Sequence, residues 1–221
     1  MRYQARQCTD DACRLRFPVA EGSELGRSCP RCGKPTADVD EPWRTPAAPG
    51  PDRDGGPRLS VLIDNVRSLR NVGSIFRTAD GAGIEHVYLG GITATPDHPK
   101  LAKTALGAEL TVPWTHGRDP VALAAELSAS GHRLWAMEGG TASANLLDPD
   151  VLGQAMPGPL VLVLGHEVSG VDPRILPHCE RTVHLPMAGH KTSLNVSVAF
   201  AVAAYAIRYL GHVARPLAIA D

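Results

Sequence analysis

An α/β domain with a mostly parallel sheet, preceded by a small cysteine-bearing module, is the fold class this sequence predicts. Two observations carry it. From residue 58 onward short apolar runs alternate with helical patterns, and that alternation builds a layered α/β domain. Before residue 35 stand four of the five cysteines, in two pairs at metal-ligand spacing.

The cysteine module spans residues 1–34. Cys8-x4-Cys13 and Cys29-x2-Cys32 are separated by fifteen residues, and the second pair reads Cys29-Pro-Arg-Cys32-Gly33, a thiolate knuckle whose glycine relieves the turn. Cys8, Cys13, Cys29 and Cys32 are therefore expected to close a zinc-ribbon-like site of structural kind around zinc; the alternative is a disulfide or unconnected thiols. A segment this short has little core, so a metal would supply much of its folding energy. Residues 35–57, PTADVDEPWRTPAAPGPDRDGGP, read as a Pro/Gly-rich linker. Cys179 stands apart and reads as a small buried residue.

The main domain, residues 58–221, opens with a strand over 58–63 and a helix over 71–82, with Asn71 as its expected cap and Gly83 closing it. A strand follows at 86–89, then a helix at 100–107, an extended piece at 112–114 and a helix at 119–129. Runs at 132–137 and 160–164 read as strands, the second almost wholly apolar and so central in a parallel sheet. The last strand is 182–185 and the last helix 193–210. Ligands in such sheets sit beyond the C-terminal strand ends.

The composition, 43% hydrophobic and 5% aromatic over 221 residues, suits a globular chain. The longest apolar run, 196–207, is too short to span a bilayer, and residues 1–11 lack the apolar stretch of a secretion signal, so no membrane association and a cytoplasmic location are expected. Net charge is −1, which disfavours a broadly basic nucleic-acid coat. Residues 1–34 nevertheless hold an excess of three positive charges, so nucleic-acid backbone contacts are expected there if anywhere.

Three stretches carry chemistry. Asn71-Val-Gly73-Ser-Ile-Phe-Arg77 sets Gly73 and Arg77 on one helical face. Leu164-Gly165-His166-Glu167-Val-Ser-Gly170 runs a buried strand into a glycine-framed loop that matches neither a P-loop nor a dinucleotide fingerprint. In His184-Leu185-Pro-Met187-Ala-Gly-His190-Lys-Thr-Ser193-Leu194-Asn195-Val-Ser197, Ser193, Asn195 and Ser197 alternate at the head of an apolar helix. Capping accounts for one of them, and the other two call for partners.

Over residues 58–212 the three stretches together resemble the SPOUT superfamily of methyltransferases, in its SpoU (TrmH-like) branch of ribose 2′-O RNA methyltransferases. The resemblance implies a C-terminal trefoil knot, a homodimer, bent S-adenosylmethionine (SAM) as cofactor and RNA, either tRNA or rRNA, as substrate. It implies that Gly165, Leu185 and Leu194 touch the adenosine through backbone groups, with Met187 beside them. Glu167, Ser193 and Asn195 would shape the catalytic pocket. Arg77 matches the family's catalytic arginine, expected to act across the dimer, and Asn71 its motif companion. Since a guanidinium stays protonated, Arg77 is expected to hold an RNA phosphate and polarise the hydroxyl rather than serve as a base. His166 and His190 are candidate RNA contacts that read more simply as loop residues. The competing reading is a SAM- or RNA-binding module without turnover; a base methyltransferase would lack the Ser193-Leu194-Asn195 opening.

Overall fold

The computed structural model describes residues 1–46, 56–156 and 158–211 and divides into two compact units, Met1–Asp52 and Arg53–Asp221. In the first, β1 (Arg2–Cys8), β2 (Arg16–Ala20) and β3 (Thr36–Arg44) form an antiparallel sheet in the order β2-β1-β3. Strand β3 corrects the linker reading of residues 36–44. Its Pro42 falls where the register shifts between Tyr3 and Ala5, so the missing amide costs no ladder bond, and Asp40 takes a positive φ of 61° at the same irregularity. Its acids pair with β1 and β2, Asp38 with Arg6 and Asp40 with Arg16. Counting Asp38, Asp40, Glu41 and Arg44, the positive excess over residues 1–46 falls to one, so the expected basic character of this module largely disappears. Residues 47–55, the rest of the expected linker, lie outside the described residues.

The second unit runs β4 (Leu59–Asp64), α1 (Leu69–Ala82), β5 (Val87–Gly90), α2 (Ala102–Ala105), β6 (Trp114–Gly117), α3 (Pro120–Ala129), β7 (Arg133–Met137), β8 (Ala144–Asn145), α4 (Pro149–Gly153), β9 (Leu160–Leu164), β10 (Arg181–His184) and α5 (Val196–Leu210). Its strands form one seven-stranded sheet ordered β6-β5-β4-β9-β7-β10-β8, every pairing parallel. The expected α/β class is borne out.

Strand β9 is buried along its whole length because its two faces enter different cores. Leu160, Leu162 and Leu164 pack with α1 and α5, including Phe76, Phe200 and Ile207. Val161 and Val163 pack on the other side with Ala124 and Leu127 of α3 and with Ile175. A continuous apolar strand is what a sheet covered on both faces requires.

Helix ends explain most differences from expectation. Ser68, not Asn71, caps α1, its side chain accepting from the Asn71 amide, while Gly83 closes the helix in the left-handed region at φ 66°. Asp119 caps α3 with Pro120 in its first turn. Helix α2 shrinks to Ala102–Ala105 because Leu106 and Gly107 both take positive φ, and the extended piece at 112–114 lies further on, as β6. Strand β8 and helix α4 were not expected. Helix α5 begins at Val196, with Asn195 as its cap.

Candidate functional site

Beyond the C-terminal ends of β7, β9 and β10 opens a cavity of about 390 Å³. Strand β9 runs directly into its first wall, the 165–170 loop. There a Cβ on Gly165 would lie 2.2 Å from the Gly170 carbonyl carbon and the Val171 amide, so only glycine lets the loop fold back on itself. The His166 and Gly170 backbones exchange hydrogen bonds of 3.0 and 2.9 Å across the loop. His166 Nδ1 accepts from the Val168 and Ser169 amides, both at 3.2 Å, which makes this histidine an organiser of the loop.

The second wall follows β10, with His184, Leu185 and Met187, and continues through Thr192, Ser193, Leu194 and Asn195 into α5. Gly165, Leu185, Met187 and Leu194 thus face one cavity together with Glu167, Ser193 and Asn195. The alternating polar residues divide the work differently from expectation. Asn195 Oδ1 accepts from both the amide (3.0 Å) and hydroxyl (2.7 Å) of Ser197, so capping accounts for two of the three. The Asn195 amide nitrogen then donates to Asn71 Oδ1 at 3.1 Å. Ser193 lines the cavity, and its hydroxyl has no hydrogen bond among the described residues.

Glu167 is the hub of the first wall. Its Oε2 accepts from the Arg67 amide at 3.1 Å, and its Oε1 accepts from the Ser68 amide at 3.0 Å and the Asn71 side chain at 2.9 Å. Burial pushes the carboxyl up, but the Arg67, Glu167 and Ser68 amides and the Asn71 side chain outweigh it and hold Glu167 below its ordinary value. It is ionised at neutral pH and sits where α1 begins, an electrostatically favourable place for an anion. Asn71 lies outside the cavity and links Glu167 to Asn195.

Arg77 does not share this cavity. It lines a second recess of about 470 Å³ with Ser74, Thr78, Lys103, Thr104, Leu106 and Tyr205. Two titratable cavity residues escaped the sequence reading. Glu138, immediately beyond β7, accepts from the Val171 amide at 2.9 Å, and His184 Nδ1 meets the Ser143 hydroxyl at 2.8 Å. The rule that ligands gather past strand ends would have flagged both.

In the first unit the Sγ atoms of Cys8, Cys13, Cys29 and Cys32 all lie within 4.8 Å of one another. Cys8 and Cys32 are 3.5 Å apart and Cys13 and Cys29 3.8 Å, far beyond a disulfide bond and near the sulfur–sulfur edge of about 3.8 Å that a tetrahedron with zinc–sulfur bonds of about 2.3 Å requires. Gly33 turns the second knuckle at φ 71°. Burial opposes ionisation of Cys29, yet the Cys32 and Arg31 amides bring its thiol down to about 7. The donor set fits a closed, structural thiolate site. Cys179 is half-buried, and burial raises its thiol to about 11.

Residues 58–205 match the SpoU rRNA Methylase family. The chain belongs to that family. A 23S rRNA (guanosine-2'-O-)-methyltransferase, RlmB of Pseudomonas syringae pv. tomato, is 34% identical over 151 residues, 68% of this chain and 58% of that protein. The chain therefore spans rather more than half the length of that curated relative. Among solved structures, the A. aeolicus TrmH/SpoU tRNA modifying enzyme is similar with a TM-score of 0.59 at 30% identity, covering 68% of this chain and 73% of that one. The SpoU methyltransferase AviRb from Streptomyces viridochromogenes, in complex with AdoMet, gives 0.60 at 25% identity, covering 80% and 68%. The SpoU match begins after the cysteine unit, so the thiolate site is an addition to the matched region.

Proposed function

We propose that this SpoU-family protein transfers the methyl group of SAM to a ribose 2′-hydroxyl of tRNA or rRNA. The observation that carries the reading is the cavity itself: the glycine-framed loop after β9, the turn after β10 and the head of α5 meet around one space at the C-terminal edge of a parallel sheet. SAM, when bound there, supplies an electrophilic methyl, and alignment of the attacking hydroxyl then dominates the rate.

The chain's own groups have separable parts in this scheme. Gly165, Leu185 and Leu194 offer backbone to the adenosine, with Met187 against it. Glu167 is a positioning residue, because three hydrogen bonds occupy its oxygens and its ionised form is the favoured one; it ties the 165–170 loop to the start of α1. Asn71 extends that tie to Asn195, and Ser193 presents to the cavity a hydroxyl without a partner among the described residues. Arg77 binds phosphate and polarises the hydroxyl.

Arg77 opens onto a different recess from the cavity, which supports a homodimer in which one copy's Arg77 serves its partner's cavity. Helix α5 presents an exposed stripe of Val198, Val202, Tyr205 and Tyr209 at three- and four-residue spacing, a face suited to a second copy. The trefoil knot belongs to the same reading, as do zinc in the four-thiolate site and a cytoplasmic location; no described helix is long and apolar enough to cross a membrane.

The test is tritiated-methyl transfer from SAM to total tRNA and to rRNA from cells lacking the protein, with nucleoside mass spectrometry. A 2′-O-methylated nucleoside in either pool is the expected result. Label in neither, despite SAM binding, would leave a binding module without turnover.

A further inference from the structure

Three carboxylates tie down the loop that follows β9, and they differ in what they have left to offer. Asp64, at the end of β4, is almost wholly buried, and its oxygens accept from the Asn65 side chain and the Asp172 amide, both at 2.8 Å. Both Glu167 oxygens are occupied at the head of α1. Glu138 is different. Its Oε2 accepts from the Val171 amide at 2.9 Å, an approach that needs Gly170, where a Cβ would collide with the same oxygen. Its Oε1 meets only the adjacent Gly139 amide, at 3.3 Å, and Glu138 has no ion pair among the described residues.

Strand register puts this spare acceptor in the middle of the cavity floor. Met137 of β7 pairs with Leu164 of β9 and with Val183 of β10, so Glu138, Gly165 and His184 are the next residues out on three adjacent parallel strands. All three line the cavity. Beside Glu138, the Ser143 hydroxyl donates its one proton to the Gly140 carbonyl at 2.7 Å, so the ring must donate across the 2.8 Å contact between His184 Nδ1 and Ser143. Neutral His184 then has its bare nitrogen at Nε2, which has no partner among the described residues. The row therefore presents side-chain acceptors and no side-chain donor.

We propose that Glu138 recognises the ribose diol of the cofactor's adenosine, its Oε1 accepting from the sugar hydroxyls. The inference rests on the SAM reading of this cavity and adds to it the residue that selects the sugar. Gly165 is Glu138's neighbour in the row, so an adenosine held on the Gly165 backbone lies against Glu138. Peptide groups serve an adenine edge, which mixes one amino donor with ring acceptors. The diol instead offers two adjacent donors, which a carboxylate oxygen with open lone pairs matches. The bond to Val171 fixes the carboxyl so that Oε1 is the free oxygen. A ligand without the hydroxyl leaves that oxygen unpaired, which is how a hydrogen-bonding site rejects such an analogue.

The experiment is calorimetric binding of S-adenosylhomocysteine, its 2′-deoxy and 3′-deoxy analogues and S-inosylhomocysteine to the full-length protein, for the wild type, Glu138→Gln and Glu138→Ala. The wild type is expected to lose roughly tenfold in affinity on removal of a sugar hydroxyl, the share of a hydrogen bond to a charged group. In Glu138→Ala that penalty should shrink to about twofold, the coupling that marks a direct contact. Glu138→Gln keeps an oxygen for the Val171 amide; it should shrink the penalty in the same direction and carries the comparison if the alanine variant does not fold. A role confined to holding the loop would weaken all four ligands by one factor, so equal penalties in wild type and variants overturn the proposal. A penalty that shrinks for the inosyl ligand instead overturns it too, by placing Glu138 on the adenine amino group. Wild-type binding separates the two readings: if the parent ligand binds and the penalties are equal, only the assignment of Glu138 is wrong; if none of the four binds, the SAM reading of the cavity fails with it.

Discussion

The two units of this chain reach a fold by opposite means. The first has three short strands, and its buried side chains include Ala5, Cys8 and Cys29, so apolar burial contributes little and four sulfurs stand where a core would be. The second buries Leu, Ile, Val, Phe and Trp side chains on both faces of a parallel sheet. The difference teaches which perturbation each unit will feel. The largest contrast is expected on chelation: with zinc in the four-thiolate site, as proposed, its removal would withdraw a binding free energy on the order of 10 kcal/mol from the first unit. Amide protection in β1 to β3 should collapse while that of β4 and β9 stays, and persistence of protection in β1 would break the comparison. Phe200→Ala should act in the opposite sense. Phe200 is fully buried between α5 and the sheet, so its truncation should cost the second unit about 3–5 kcal/mol and leave amide protection in β1 to β3 unchanged.

A smaller effect sharpens the contrast within the second unit. Gly73→Ala should destabilise it by roughly 1–3 kcal/mol, because the new methyl meets Thr104 Oγ1 and, at 3.1 Å, the Ala105 amide. Thr104→Ala should recover only part, since the backbone contact remains. Thermal melts of the single and double variants decide this, and full recovery would show that the backbone of α2 moves aside.

The same contrast governs what could be read from sequence. Strand β9 was legible because a run of five apolar residues has one solution in an α/β chain, burial on both faces. The cysteine pairs were legible because two closely spaced thiol pairs are the pattern a tetrahedral site demands, and their four Sγ atoms do converge. Strand β3 was not: Pro42 and the acids Asp38, Asp40 and Glu41 look like linker, and only the pairing with β1, with its irregularity and its ion pairs to Arg6 and Arg16, turns them into sheet. At the site, Gly165, Glu167, Leu185, Met187, Ser193, Leu194 and Asn195 do line one cavity, but Glu138 and His184 were missed, Asn71 and Arg77 lie outside it, and the division of labour was not legible. Asn71 looked like a cap and is a bridge between Glu167 and Asn195, and Ser197 called for a partner and finds it in the Asn195 cap.

The smallest predicted effect tests the hub. Glu167 is held below its ordinary value, so the stability it contributes is fully present above about pH 4.5 and is lost as pH falls through its depressed folded-state value. Its side chain is largely exposed to solvent, which screens the interaction, so the contribution is roughly 1 kcal/mol. Glu167→Gln removes the charge but keeps an oxygen able to accept from the α1 amides. Denaturation midpoints should therefore lie apart near neutral pH and converge on acidification. A gap that stays constant down to about pH 3 would mean that the carboxylate's charge does nothing for the fold and that Glu167 holds α1 by shape alone. Convergence, with SAM affinity reduced at neutral pH in the variant, would tie the charge on Glu167 to the geometry of the cavity it lines.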